Sequence, residues 1–196
     1  GKEFGVIMTI VNGHHFEVAT FRSDSGYSDG RRPDAVEFTD AKEDALRRDF
    51  TINAIFYDPI EDKLYDYVGG QKDLADQLVR FIGDPEERIQ EDNLRILRAV
   101  RFKNAYDLQY HPDTYQAIKK HAALVENVSK ERVRDELNKM ITGKNPAQAF
   151  EELFEIGALE YLIPEFCKLK GLAQPKMYHQ EGDVWDHSLR ALNALT

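Results

Sequence analysis

A chain of 196 residues with 42% hydrophobic and 31% charged side chains can bury a full core, and this composition excludes disordered, collagen-like and disulfide-scaffold proteins. The formal net charge of -9 argues against broad, sequence-independent DNA binding but not against RNA binding, because basic residues concentrate between 95 and 144. The apolar runs are far shorter than the roughly 20 residues that cross a bilayer, and no signal segment opens the chain. We therefore expect a cytoplasmic protein with no membrane partner.

The first third of the sequence predicts strands separated by turns. Two apolar runs, 5–11 and 16–21, flank the turn signal Asn12-Gly13 and predict a hairpin. Residues 23–35 are rich in turn formers and lack apolar periodicity, so they predict a mobile loop. The remaining elements are a helix at 42–48 capped by Thr39-Asp40, an extended segment at 51–57, strands at 63–67 and 79–82, and a helix at 72–77.

From residue 85 onward the apolar period changes to that of helices. Helical segments are predicted at 86–102, 112–121, 130–140, 146–156, 159–166 and 185–194. Prolines fall at or near the ends of several of them, where they are tolerated or stop a helix. We therefore predict an α+β fold class, in which a mixed first part ends near residue 84 and an all-α remainder follows.

A charged sector of the helix predicted at 86–102 is the first candidate site. At about 100° per residue, Asp92, Arg95 and Arg98 lie about 60° apart in succession, opposite Ile96, Leu97 and Val100. A carboxylate acceptor beside guanidinium donors can hydrogen-bond the edge of a nucleobase. Spacing alone favours the alternative, an ion pair on a solvated helix face.

Two further groups could carry chemistry. Arg47 and Arg48 could neutralise a triphosphate, and Asn53 could hydrogen-bond it or a metal-bound water; the alternative is a pair of surface arginines that complement a helix end. Glu17 lies in the second predicted strand, on the face opposite Phe16 and Val18. It is a candidate metal ligand, although most single strand carboxylates only face solvent.

The order of these segments resembles class II CCA-adding enzymes and bacterial poly(A) polymerases, over the whole chain. Segment by segment, the matches are the strand of the third carboxylate (Phe16 to Arg22), the ribose and triphosphate motif (Arg47 to Asn53), the hinge (Asp58-Pro59, Asp66 to Gly70 and Asp73-Leu74), the amino-acid template for the incoming base (Glu91 to Arg95) and the helix-bracing motif (Arg132 to Met140). Five ordered motifs make coincidence improbable.

The resemblance implies an architecture, an activity and a set of site residues. It implies the carboxy-terminal part of a nucleotidyltransferase head over 1–84, a helical neck with the base-reading helix over 85–144, and a helical body over 145–196. The implied activity is Mg²⁺-dependent addition of C and/or A from CTP and ATP to the 3′ end of tRNA. The implied nucleotide-binding residues are Arg48, Asp49, Asn53, Asp92, Arg95 and Arg98, and Glu17 is the implied catalytic residue and Mg²⁺ ligand.

The sequence also departs from the family pattern. The family begins with a Gly-Gly-x-x-Arg-Asp loop and an Asp-x-Asp strand, and neither is present. We therefore expect a fragment that lacks both principal metal-binding aspartates and does not catalyse transfer alone. Tyr178 to Leu189 resembles the entry to an HD-type phosphohydrolase domain, with His187 as its first metal ligand, and that motif is also incomplete.

Several alternatives stay open. The loop at 23–35 favours A or CCA addition, because the family's C-adding enzymes have a shorter loop there. Poly(A) polymerase is the nearest other enzyme, a non-catalytic RNA- or nucleotide-binding relative is a second possibility, and a parent that is chiefly an HD phosphohydrolase is a third. The oligomeric state is also open, including a homo-oligomer.

Overall fold

The computed structural model describes residues 6–25, 35–174 and 182–194, and its strands lie mainly in the first part of the chain. Within the described residues the strands form pairs. Three pairs are antiparallel and one is parallel. In chain order, they are β1 (Val6–Val11) with β2 (His14–Ala19), β3 (Arg22–Ser25) with β4 (Ala35–Phe38), β5 (Ile55–Asp58) with β6 (Lys63–Asp66), and β7 (Leu78–Val79) with β8 (Gln109–Tyr110).

Helices dominate the rest and confirm the predicted α+β class. They are α1 (Ala41–Leu46), α2 (Gly70–Ala75), α3 (Pro85–Glu91), α4 (Arg95–Ala105), α5 (Pro112–Lys120), α6 (Lys130–Ile141), α7 (Pro146–Glu155), α8 (Leu159–Leu162), α9 (Pro164–Cys167) and α10 (Val184–Asn193), with 3-10 turns at Thr51–Asn53 and Ala122–Asn127. None of the helices in the described ranges is long and apolar enough to cross a membrane.

The first hairpin follows from its turn residues. Asn12 and Gly13 both have positive φ, 51° and 80°, which is the backbone of a tight two-residue hairpin turn. The predicted loop at 23–35 is partly wrong, because residues 23–25 belong to β3 and Ala35 to β4, which pair with each other. That pairing depends on a partner strand that local composition does not reveal. Residues 26–34 lie outside the described part of the chain.

The larger of two hydrophobic clusters in the described residues joins the first part to the helices. Phe50 and Phe81 are 0% and 2% exposed, and their stacked rings lie 5.0 Å apart between centroids. They belong to the same cluster as Leu97 and Val100 of α4, and Phe102 packs 5.4 Å from Phe50. Packed side chains therefore cross the boundary predicted near 84, and the limits of the three domains stay a prediction.

Several predicted elements are wrong in their extent. Of the strand predicted at 79–82, only Val79 lies in a strand, β7, and Phe81 forms an isolated bridge with Phe50. The helix predicted over 86–102 is interrupted at Asp92, whose φ of -151° and ψ of 103° are those of extended backbone. The helix predicted over 159–166 is split before Pro164, because proline disfavours helical backbone at the residue before it. The extended segment predicted at 51–57 begins with a 3-10 turn, Thr51–Asn53, and only β5 after it is a strand.

The core makes a stability prediction. Leu97 is fully buried in α4, so Leu97→Ala should lower the free energy of unfolding by about 2–5 kcal/mol in urea denaturation, because it leaves a cavity. Leu74→Ala is the matched control, because Leu74 is 54% exposed on α2 and its loss should change the value by about 0.5 kcal/mol or less. Similar losses in both variants would contradict this position of the core.

Candidate functional site

A pocket of about 580 Å³ opens between the end of α1 and the start of α4. All six residues predicted to bind nucleotide line it, so the structure brings two distant segments of the sequence together. The lining residues are Arg47, Arg48, Asp49, Asn53, Asp92, Arg95, Arg98 and Phe102.

Asp44 organises the arginines at the end of α1. Its carboxylate is 2% exposed and accepts hydrogen bonds from Arg47 (Nε at 3.0 Å and Nη2 at 2.7 Å) and from Arg48 Nε at 3.0 Å. Burial alone would raise the pKa of Asp44, but the hydrogen bonds from Arg47, the backbone N–H of Arg22 and Arg48 outweigh it and lower the pKa below the ordinary value. Asp44 therefore stays ionised and orients both guanidinium groups.

The 3-10 turn after Phe50 completes this wall of the pocket. Arg48 donates from Nη1 to the backbone oxygen of Asn53 at 2.9 Å, and its guanidinium carbon lies 4.9 Å from the centre of the Phe56 ring. Asn53 in turn donates from Nδ2 to Asp49 Oδ1 at 3.0 Å. The side chains of Arg48, Asp49 and Asn53 are thus held in one hydrogen-bonded group.

An ion pair connects this wall to α4. Arg98 donates from Nε to Asp49 Oδ2 at 2.6 Å, across 49 residues of sequence. The Arg98 guanidinium also lies 5.4 Å from the ring centre of Phe102. Two residues that the sequence nominates as nucleotide ligands therefore bind each other in this structure, which places α4 against the α1 end.

Asp92 reaches the pocket by a different route from the one the sequence predicts. The prediction that Asp92 shares one helix face with Arg95 and Arg98 is wrong, because Asp92 follows α3 in extended backbone. Its carboxylate instead accepts two parallel hydrogen bonds from Arg132 of α6, Nη1 to Oδ1 at 3.0 Å and Nη2 to Oδ2 at 2.7 Å, and a third from the N–H of Leu94 at 3.1 Å. A bidentate pair fixes both the position and the plane of the carboxylate.

Arg95 is anchored through one nitrogen. It is 7% exposed, and its Nη1 donates to the backbone oxygen of Arg88 at 2.8 Å and to Glu91 Oε2 at 2.5 Å. In the described part of the chain, its Nε and Nη2 have no hydrogen-bond partner. Donors therefore remain available on Arg95 in a pocket where Asp92 Oδ2 keeps capacity to accept.

Sequence reasoning missed two residues of this site. Phe102 lines the pocket, and the signal for it is its position four residues after Arg98 on α4. Asp44 does not line the pocket, but it lies three and four residues before Arg47 and Arg48 on a helix, which is the spacing of an ion pair.

The predicted metal ligands are not brought together. Glu17 lies on β2 opposite Met8, is exposed, and is not among the residues that line the pocket. His187 lies on α10, after the capping box of Asp183 and Asp186. Among the residues that the structure describes, no three His, Cys, Asp or Glu side chains form a group that could hold a metal ion. These residues do not fit a two-metal site, and we assign no step through a metal.

Comparison with known proteins supports a nucleotidyltransferase class. The family model described as the poly A polymerase head domain matches residues 1–80, and the model described as the probable RNA and SrmB-binding site of polymerase A matches residues 107–170. The first part of the chain is thus head-like, and the helical part corresponds to a region associated with RNA.

Individual relatives share one name. The CCA-adding enzyme of Ligilactobacillus salivarius is 40% identical over 178 residues, which are 89% of this chain and 44% of that protein. The Bacillus stearothermophilus CCA-adding enzyme in complex with CTP superposes with a TM-score of 0.73 at 36% identity, over 83% of this chain and 39% of that one. The Thermotoga maritima CCA-adding enzyme complexed with tRNA superposes with a TM-score of 0.67 at 26% identity, over 90% of this chain and 39% of that one.

The chain is thus similar to CCA-adding enzymes over most of its length, and its first 80 residues match the poly A polymerase head domain. It spans less than half the length of the relatives it matches, 44% of the first and 39% of each structure. The HD-type interpretation of 178–189 falls partly outside the described residues and stays a prediction.

The Asp44 cluster makes a prediction about pH. Because the pKa of Asp44 is lowered in the folded chain, its stabilisation is complete above the ordinary value of 3.8 and is lost as pH falls through the lower folded value. At pH 7, Asp44→Asn should lower the free energy of unfolding by about 2 kcal/mol. The difference from the unchanged chain should shrink below pH 3.8 in urea denaturation at a series of pH values.

Asp76→Asn is the control for this experiment. Asp76 is 44% exposed in its pair with Lys72, so its replacement should change stability by about 0.5 kcal/mol or less at either pH. An Asp44→Asn deficit that is the same at pH 7 and pH 3 would show that the ionised carboxylate is not what stabilises the cluster.

Proposed function

We propose that the pocket binds CTP and ATP, and that the whole protein adds C and/or A to the 3′ end of tRNA. The observation that carries this proposal is the meeting, in one pocket, of an arginine group at the end of α1 with Asp92 and Arg95. The arginines at the end of α1 can bind phosphates, and Asp92 and Arg95 can hydrogen-bond a base. The names of the relatives support the same activity.

The base-reading step rests on complementary hydrogen bonding. Asp92 offers an acceptor and Arg95 offers donors, and both are held by partners behind them. Cytosine and adenine each present an amino donor beside a ring-nitrogen acceptor, whereas uracil and guanine present a carbonyl acceptor beside an N–H donor. We infer that one fixed pair selects both C and A and disfavours U and G.

The phosphate side rests on charge. Four arginines and two aspartates line the pocket, so the lining is net positive although the whole chain is acidic. Arg47 and Arg48, held by the buried Asp44, are pre-oriented for an anion. We assign the triphosphate to these two arginines, and the ribose to Asp49 and Asn53, with Arg98 bracing Asp49.

The proposed chemistry is attack of the RNA 3′-hydroxyl on the α-phosphate, with pyrophosphate as the leaving group. We propose that the whole protein uses Mg²⁺, which would supply charge neutralisation to such a displacement from a site outside the described residues of this chain. The residues of this chain would contribute by selecting the nucleotide and orienting it for the reaction. We also propose that the protein works in the cytoplasm, where its substrates occur.

A polymerising assay distinguishes the candidate functions. The whole protein is supplied with tRNA that lacks its 3′-terminal CCA, together with labelled CTP and ATP. We expect an addition of up to three nucleotides. Long runs of A would favour poly(A) polymerase, whose head the matching family model describes. If CTP binds but neither nucleotide is incorporated, the protein is a non-catalytic nucleotide-binding relative.

Arg95 should control nucleotide choice. Because a bidentate contact discriminates between bases by about 1–3 kcal/mol, Arg95→Ala should lower the preference for CTP and ATP over GTP and UTP by about ten- to a hundredfold. Affinity for tRNA should change by about twofold or less. The measurement is competitive incorporation by the whole protein, with equilibrium binding of tRNA measured in parallel.

Arg134→Ala is the control for this variant, because Arg134 is exposed on α6 and pairs only with the neighbouring Asp135 among the described residues. Since Arg95 is buried, circular dichroism of both variants checks that they fold, and Arg95→Lys keeps the charge if the alanine variant unfolds. Unchanged selection among the four nucleotides in a folded Arg95 variant would rule out the base-reading role.

A further inference from the structure

The β5–β6 hairpin carries a second pocket that the proposed function does not use. It has a volume of about 370 Å³ and is lined by Phe56, whose ring centre lies 4.9 Å from the guanidinium carbon of Arg48 in the nucleotide pocket. Aromatic rings make up most of its lining, and Asp58 is the one ionised side chain among the described residues that line it. The relevant residues are Phe21, Phe56, Tyr57, Asp58, Tyr65 and Tyr67.

The rings surround the pocket at different angles. Phe21 and Phe56 meet edge to face, with centroids 5.3 Å apart and planes at 78°. Phe56 and Tyr67 lie 6.5 Å apart at 57°, and Tyr65 stacks on Tyr67 at 6.4 Å and 19°. Since the planes differ in direction, π faces are presented from more than one side. The rings remain accessible, because Tyr67 is 40% and Tyr57 is 57% exposed.

Two of these rings already attract cations of the chain itself. Lys63 Nζ lies 4.6 Å from the centre of the Tyr65 ring, and the Arg48 guanidinium lies 4.9 Å from that of Phe56. Both distances are within the range at which the ring quadrupole attracts a positive charge. The aromatic faces of this hairpin are therefore suited to a cation in their present arrangement.

Carboxylates reinforce the same preference. Asp58 Oδ1 accepts the N–H groups of Ile60 at 2.8 Å and Glu61 at 3.2 Å, which fixes its charge in the turn. Tyr57 donates its hydroxyl to Asp62 at 2.8 Å, and Tyr65 donates to Glu61 at 3.0 Å. A phenol that donates to a carboxylate gains electron density in its ring, and the hydrogen bonds also hold two more negative charges in the turn beside these rings.

We propose that this aromatic pocket binds a small free alkylammonium ion. A phosphate or carboxylate ligand would meet four carboxylates and no cation other than Lys63 in the turn 58–62 and its flanking strands. A neutral apolar ligand would use the rings but not the charges. A compact alkylammonium uses both, because its methyl or methylene groups pack on the rings while its charge is stabilised by their faces and by Asp58.

The test compares two ligands of the same shape. Choline and its neutral isostere 3,3-dimethylbutanol are titrated into the complete chain, and binding is followed by the backbone amide resonances of the hairpin. We expect choline to bind with a dissociation constant of about 1 mM and the neutral isostere to bind at least about tenfold more weakly. Equal binding of the two, or no shift with either, would overturn the proposal.

Two variants assign the binding to this pocket. Tyr67→Leu removes an aromatic face, and Asp58→Asn removes the charge while its side-chain oxygen can still accept the turn N–H groups. Each should weaken choline by at least about threefold, whereas Tyr161→Leu, an exposed tyrosine on α8, should not. If Tyr67→Leu disturbs the hairpin resonances, Asp58→Asn alone decides. Unchanged choline affinity in folded Asp58→Asn would contradict the role of its charge.

Discussion

The candidate site depends on the ion pair between Asp92 and Arg132. Asp92 leaves the helical path between α3 and α4, so the helix backbone does not orient its carboxylate. The two parallel hydrogen bonds from Arg132 do so instead, and they tie the break in the helix to α6. A carboxylate held in this way can serve as a fixed acceptor, which a flexible surface aspartate cannot.

Similar ion pairs surround the pocket, in which carboxylates fix the positions of the arginine side chains. Arg47 and Arg48 are held by Asp44, Arg95 by Glu91, and Arg98 by Asp49. Unpaired, several guanidinium groups in one pocket would repel one another and lose hydration. Paired with partly buried carboxylates, they are oriented before a ligand arrives, which lowers the cost of binding an anion. A local positive pocket on an acidic chain follows from this arrangement.

Local features of the structure were predictable from sequence, and long-range ones were not. The Asn12-Gly13 hairpin and the helices near 112–121, 130–140 and 146–156 follow from turn chemistry and apolar period, which act over a few residues. The break at Asp92 was missed because the arginine that compensates it lies 40 residues away. Helical spacing nominated Asp92, Arg95 and Arg98 as a candidate site, and the ordered resemblance favoured nucleotide binding over the surface ion pairs that spacing alone favoured. All six predicted nucleotide-binding residues line one pocket, whereas Glu17, on an exposed hairpin, does not.

The most direct measurement is a crystal structure of the chain with CTP. The cytosine edge is expected against Asp92 and Arg95, with the triphosphate towards Arg47 and Arg48 and the Asp92–Arg132 ion pair unbroken. A base bound elsewhere, or a cytosine that displaces Arg132 from Asp92, would contradict the assignment of a fixed base-reading pair.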